Sequence, residues 1–396
     1  MTTLPAVSRV EPVAPDIPFF SQARTFAEIW PEVANHIEDV ADRGKFSHGH
    51  KVAEFELALA DYTGARHAVA VNSGTDALVL LLRAAGLRRG QPVVVPAFSF
   101  VASASAVMLA GGRVVFADIE RDGYGIDPAE IERVAPPGAF VMPVHLFCQL
   151  ADLDGVLQVA RERSLTVVED SAEAIGMRWN GVHAGLHGAG GVLSFFPAKT
   201  LGALGDAGAV LTDDPDIADT VGALRHHGRF GRTLAHFPGI ANPTALSGTN
   251  SKMDDIQAAV LLAKLARLDH DIALRAELVG AYNERLRDVP GVRLPAVAPR
   301  RALAPAVYYV YVVEVERRDE LAAHLAAHGV GTEIYYPTPL SRQPCFVSLG
   351  EPLGYFPVAE TVCRRTLALP LYPDLSVAEV DRVCDHIRAF FTGSDS

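Results

Sequence analysis

Between His67 and Thr212 the chain keeps repeating one pattern, a short and nearly unbroken apolar run followed by a helical stretch. The runs are His67–Val71, Val93–Pro96, Val114–Asp118, Phe140–His145, Thr166–Asp170, Val192–Phe196 and Ala209–Thr212. Helical spacing of apolar residues fills several intervals, at Asp76–Ala85, Phe100–Leu109, Asp127–Val134 and Leu153–Arg163. A strand that is apolar at successive positions has to be covered on both faces. Such strands alternating with helices predict an α/β fold, a mainly parallel seven-stranded sheet between helices.

The flanks read differently. Residues 1–18 hold four prolines and are expected to form an extended N-terminal arm. Ala27–Asp42 and Val52–Tyr62 have helical spacing, the second ending at Gly64. After Thr212 come a helix at Ile217–Leu224 and a long irregular stretch, His226–Asn250. Met253–Val289 is a long helical region, expected to break near Asp269. A smaller unit follows: strand Tyr308–Glu316, helix Asp319–His328, strand Val330–Tyr336 and a last helix Val377–Phe390. The 396 residues thus divide into the arm, a large domain (19–265) and a small C-terminal α/β domain (266–396).

A net charge of -12 argues against general affinity for nucleic acid or anionic membrane, so a phosphate-bearing ligand needs local groups to hold it. The four cysteines show no CxxC pair or zinc spacing, as expected of reduced thiols in a cytoplasmic protein. No signal-peptide core opens the chain. Val93–Gly112 is uncharged, but Pro96, its serines and Gly111-Gly112 make it strand, turn and buried helix; no membrane span is expected.

Three sites carry chemistry. In Leu193-Ser-Phe-Phe-Pro-Ala-Lys199 a lysine follows a buried strand, with Gly202, Gly205 and Gly208 close behind. That is a poor place for a surface charge and a good one for a nucleophilic amine, and glycines let backbone approach whatever it holds. Asn72-Ser-Gly-Thr75 ends a strand and opens a helix, which makes either an anion cradle or a plain helix cap. Thr166-Val-Val-Glu-Asp170 ends in two carboxylates where α/β sheets face their ligands; Asp170 either pairs with a protonated ring nitrogen or caps the next helix. An anion cradle, a carboxylate and a lysine are the three contacts that pyridoxal phosphate needs. His226-His227, with Arg225, Arg229 and Arg232, forms a basic stretch suited to a diphosphate; no third ligand stands at a recognisable spacing, and no metal is expected.

The chain resembles the DegT/DnrJ/EryC1/StrS family of sugar aminotransferases from Phe46 to Pro373. Segments that carry the resemblance are Glu54-Phe-Glu56, Asn72-Ser-Gly-Thr-Asp-Ala-Leu78, Pro96-Ala-Phe-Ser-Phe100, Pro143-Val-His145, Val168-Glu-Asp170, Ser194-Phe-Phe-Pro-Ala-Lys199, Gly248-Thr-Asn250, Tyr335-Tyr-Pro337 and Leu369-Pro370. The resemblance implies the aspartate-aminotransferase fold (type I) and pyridoxal 5'-phosphate as cofactor. It implies amino transfer from glutamate or glutamine to a keto group of a nucleoside-diphosphate keto-deoxysugar, with an aminocyclitol or other keto-ring substrate as the alternative. A non-catalytic regulatory or binding protein of the same fold is the alternative of another class. Lys199 matches the Schiff-base lysine and Asp170 the ring-nitrogen partner. Gly74 and Thr75, with Ser194, match the phosphate cradle, Asp76 is a further candidate cofactor contact, and Phe100 matches the aromatic that stacks on the ring. Asn250 matches an asparagine that reaches the neighbouring subunit's phosphate, which implies a homodimer with shared sites. Arg229, Lys252 and Tyr336 are candidate substrate contacts. Three positions depart from the family's usual residues. Glu173 stands where Gln is common and is expected to be protonated or turned away from the cofactor's phenolic oxygen. Lys252 stands where Arg is usual, and Ser341 where His is common.

Overall fold

The structure, a computed structural model, describes residues 16–47, 49–230, 243–295, 306–347 and 354–393. Seven strands build the main sheet: β1 (His67–Val71), β2 (Pro92–Pro96), β3 (Arg113–Ala117), β4 (Phe140–Val141), β5 (Thr166–Asp170), β6 (Gly190–Ser194) and β7 (Gly208–Thr212). Their spatial order is β1-β7-β6-β5-β4-β2-β3. Only β7 runs against its neighbours, β1 and β6; from β6 to β3 every pairing is parallel.

Successive side chains of each strand enter opposite layers, which is why the strands are apolar throughout. Val69, Val71, Val93, Val95, Val168, Val192 and Val210 pack under α3 (Gly74–Ala84), α4 (Val101–Leu109) and α7 (Pro215–Leu224). On the other face Ala68, Ala70, Leu193, Ala209 and Leu211 meet α2 (His50–Thr63) and α8 (Asp255–Leu265). Val94, Val141 and Val167 meet α5 (Pro128–Val134) and α6 (Leu153–Arg163) there. Helix α1 (Ala23–Arg43) adds Ile29 and Val33 against Val260 and Ala263 of α8.

A second, antiparallel sheet holds β8 (Val292–Arg293), β9 (Tyr311–Val315) and β10 (Thr366–Leu369) in that order. Leu278 and Tyr282 of α9 (Leu268–Leu286), Leu321 and Leu325 of α10 (Arg318–Ala327), and Val380 and Ile387 of α12 (Val377–Thr392) cover it. The short helix α11 (Pro357–Arg365) leads into β10. Ile17 is fully buried in this second core, and its backbone exchanges hydrogen bonds with Gly329 and Gly331. Residues 1–15 of the expected arm lie outside the described residues.

Several expected boundaries shift. The run Phe140–His145 is a ladder only at Phe140–Val141, because Pro143 has no N–H to donate; the chain still follows β5 through the bridge Val144↔Asp170. The long helix breaks at Ala266–Arg267 and not at Asp269. Asp269 and Asp271 instead sit in the first turn of α9, where negative charge suits the helix end. Val330–Tyr336 is not a strand. Its backbone meets Ile17 at one end and Ala368 at Glu333, then turns so that Ile334, Tyr335 and Tyr336 line a cavity. Its place in the small sheet is taken by β10.

Candidate active site

A cavity of about 550 Å³ opens at the carboxyl ends of the parallel strands. Ser73–Thr75 enter it after β1, Ser99, Phe100 and Ala102 after β2, and Val144–Leu146 after β4. Asp170 ends β5, with Ala172 and Glu173 just after it; Ser194 ends β6, with Phe196 and Lys199 after it. The small sheet's side contributes Tyr309, Ile334, Tyr335 and Tyr336. The three sites singled out above, far apart along the chain, therefore converge.

The phosphate-type loop is both a cap and a cradle. Ser73 Oγ accepts from Asp76 N–H at 3.1 Å, and the Ser73 carbonyl accepts from Ala77 N–H. Among the described residues that leaves the N–H groups of Gly74 and Thr75 as the open donors of α3, at the positive end of its dipole. Two glycines keep the loop this tight. A Cβ on Gly74 would stand 2.9 Å from Ser194 Cβ, and one on Gly208 would stand 2.5 Å from the Ser73 carbonyl carbon. Asp76 does not line the cavity; its carboxylate accepts from Ser251 Oγ and so ties the 249–252 loop to α3.

Asp170 is buried and does not cap a helix. It accepts from Ser103 Oγ at 2.7 Å and from Ala172 N–H at 3.3 Å, and Ser103 is linked to Ser99 at 2.8 Å. Burial raises its carboxyl pKa, and those two donors offset part of the rise. It forms no ion pair among the described residues. A buried carboxylate aimed into a cavity and outside any ion pair is a place for a cationic ligand.

Lys199 Nζ lies 3.0 Å from Glu173 Oε1 and 4.0 Å from the centre of the Tyr309 ring. Glu173 Oε2 accepts from Phe147 N–H at 2.8 Å. Both oxygens of Glu173 are thus engaged, one by the lysine and one by backbone. Phe100 is 56% exposed at the cavity, with Tyr336 at 6.1 Å between ring centres. Tyr336 lines the cavity as expected; Arg229, Lys252 and Asn250 do not line it within one chain. Lys252 Nζ donates to Asn250 Oδ1 instead. Arg225 is buried, ion-paired with Glu56 and bonded to the Ala70 carbonyl, so it is spent inside the fold. Arg232 lies outside the described residues.

Four contributors escaped the sequence reading. Ser99, in the turn after β2, and Ser103, in the first turns of α4, read only as small residues of a turn and a buried helix. Tyr309 reads as an ordinary strand residue. His145 lines the cavity and is buried; its Nδ1 accepts from Ala151 N–H, so Nε2 donates to Glu169 at 3.0 Å. Glu169 also accepts from Gly185 N–H and His187 N–H. Burial pushes its carboxyl up, but His145 and His187 outweigh that and hold it well below the usual carboxylate range.

The profile of the DegT/DnrJ/EryC1/StrS aminotransferase family matches residues 28–388. The chain belongs to this family. It is a pyridoxal-phosphate-dependent aminotransferase of fold type I. The family member "Erythromycin biosynthesis sensory transduction protein EryC1" of Saccharopolyspora erythraea is 37% identical over 375 residues, 94% of this chain and 99% of that protein. The "dTDP-3-amino-3,4,6-trideoxy-alpha-D-glucose transaminase" of Streptomyces venezuelae is 36% identical over 96% of this chain and 97% of its own length. The crystal structure of S. venezuelae DesV in complex with a ketimine intermediate superposes with a TM-score of 0.88 at 36% identity, covering 95% of this chain and 99% of that one. The aminotransferase's own cavity fits the cofactor. The N-terminal donors of α3 suit a phosphate, the buried Asp170 suits a protonated ring nitrogen, and the Lys199 amine opens into the same space.

Proposed function

We propose that this aminotransferase moves an amino group from glutamate or glutamine to a keto group of a nucleoside-diphosphate-linked keto-deoxysugar, in the cytoplasm, during amino-sugar synthesis. One observation carries the reading: Lys199, Asp170 and the open end of α3 share one cavity. The printed activity of the S. venezuelae relative, a dTDP-amino-sugar transaminase, supports the substrate class.

Lys199 Nζ would hold the cofactor covalently, and Gly74, Thr75 and Ser194 would hold its phosphate. Asp170 would keep the proton on the ring nitrogen, and Phe100 would cover one ring face. Bound there, the protonated ring supplies an electron sink for the carbon that loses its proton. Lys199 would also be the base that takes the proton from the donor's α-carbon and the acid that returns one toward the acceptor. Glu173, fixed by Phe147 N–H, accepts a hydrogen bond from that amine at 3.0 Å.

The working molecule is proposed to be a homodimer. Asn250 and Lys252 are held near the 72–76 loop by the bridge Val71↔Lys252, yet sit outside their own cavity. Phe46, Leu204 and Ile256 are exposed around the start of α8, where a second copy would cover them. In such a dimer Asn250, Arg229 and Lys252 would serve the neighbour's site. The arm 1–18, the cofactor domain 19–265 and the small domain 266–396 are its proposed parts.

The test is a panel of keto substrates with glutamate or glutamine, with products identified by mass and NMR. The nucleotide-linked sugar is expected to react far faster than the free sugar, because remote binding energy positions the keto carbon. Equal rates on free ketoses or keto-cyclitols would move the assignment to the aminocyclitol reading. The name of the S. erythraea relative favours a regulatory reading; no amination of any member of the panel would support it.

A further inference from the structure

Outside the cavity, α10 carries His324, and His328 stands just past its end; α12 brings up His386. The four-residue spacing puts the first two on one helix face. Each of the three offers a ring nitrogen, and these nitrogens lie within 4.8 Å of one another. The ring centres of His328 are 4.3 Å from those of His324 and 4.5 Å from those of His386.

Two backbone carbonyls set the ring tautomers. His328 Nδ1 lies 2.8 Å from the carbonyl oxygen of His324, and His324 Nε2 lies 3.1 Å from that of His386. A carbonyl only accepts, so those nitrogens are the donors of the two contacts. A hydrogen bond from one ring nitrogen to a carbonyl fixes the ring's orientation, as it does for metal-binding histidines. The second group of this kind, Asp39, His50 and Glu54, already has Lys51 and Arg43 as cationic partners. The nearby Arg382 reaches Asp16 at 3.6 Å, and Asp385 pairs with Arg388 at 2.7 Å.

We propose that His324, His328 and His386 form a binding site for a divalent transition-metal ion of the zinc class, with water completing the coordination. Three imidazoles and no carboxylate suit zinc, nickel or copper and not the oxygen-seeking magnesium or calcium. Metal–nitrogen bonds of about 2.0–2.1 Å require the nitrogens to close by about 1 Å, a change that side-chain rotation supplies at exposed His328 and half-exposed His324 and His386. The ion would clip α10 to α12. The segment that leaves α10 runs on to Ile334–Tyr336 in the cavity wall, so the clip would stiffen the base from which that wall is built.

The holoenzyme, stripped with a chelator and freed of it, is titrated calorimetrically with Zn²⁺. Roughly one ion per chain is expected, along with a higher thermal midpoint at saturation and no competition from Mg²⁺. His328→Gln and His386→Ala are each expected to weaken binding roughly tenfold or more while leaving metal-free amination unchanged. His328→Gln alters an exposed ring, so it stays informative if His386→Ala does not fold. Absence of saturable Zn²⁺ binding to the wild-type holoenzyme would overturn the site. So would stoichiometric binding that persists at full affinity in His328→Gln.

Discussion

Asp170 joins burial and chemistry in one side chain. Its carboxyl pKa is raised in the folded chain by burial, so the folded state binds the proton more tightly than the unfolded state. The contribution of such a group favours folding at pH below its unfolded value and is lost as pH rises through the folded one. In the cofactor-free protein Asp170→Asn is therefore expected to raise the thermal midpoint at pH 7 by about 1–3 °C. The same variant is expected to lose roughly a hundredfold or more in amination rate, because a neutral amide cannot hold the ring nitrogen protonated. Scanning calorimetry and steady-state kinetics read the two effects; a destabilised but active variant would make Asp170 a structural residue. Lys199→Ala is expected to abolish turnover and to keep the fold. It leaves Glu173 with the Phe147 N–H as donor, a loss of about 1–3 kcal/mol that urea unfolding measures. Full turnover by Lys199→Ala would remove the lysine from the mechanism.

At the scale of elements, α3 and α8 make separate demands. The first turn of α3 lies against Ser194 with room only for glycine at position 74. Gly74→Ala is expected to push the loop off Ser194 and weaken cofactor binding about tenfold, near 1.4 kcal/mol. Absorbance titration of the apoprotein checks this, and unchanged affinity would mean the loop is only a cap. On α8, Lys264 is buried against α1, where its Nζ donates to Gln22 Oε1 at 2.7 Å. Burial pulls its pKa from 10.5 down to about 7. Between those values the unfolded chain binds more protons, so stability is expected to rise with pH across that window. Below about 7 the amine is charged in both states and the cost of burying it is fully present. Lys264→Met is expected to flatten that rise and to stabilise the protein at pH 7 by about 2–4 kcal/mol. Urea melts at pH 7 and pH 9 distinguish this from a gain that does not depend on pH.

For the whole molecule, the position of Asn250 outside its own cavity leads to a mixing experiment. Asn250→Ala and Lys199→Ala chains, each nearly inactive alone, are expected to regain activity when their subunits exchange, since one hybrid site keeps both residues. The ceiling is about one quarter of wild-type activity for statistical exchange, half the dimers being hybrid and each having one intact site. Demonstrated exchange with no recovery would mean that Asn250 does not act across subunits. Among the described residues no helix is long and apolar enough to cross a membrane.

The sequence by itself determined the layered architecture, because strands covered on both faces must be apolar at successive positions, and that pattern is local. It also located Lys199, Asp170 and the Ser73–Thr75 turn, since each stands at the end of an apolar run and strand ends face the crevice. The tertiary structure alone decided how these residues are partnered. Ser103, 67 positions from Asp170, supplies its short hydrogen bond. Tyr309 and Tyr336 reach the cavity from the small sheet's side. Arg225, in a stretch that reads as a basic patch, is instead turned inward to Glu56. A polar residue's type states what it is able to bond, but the direction of its side chain follows from packing between distant elements. The same packing brings His386 up to His324 and His328.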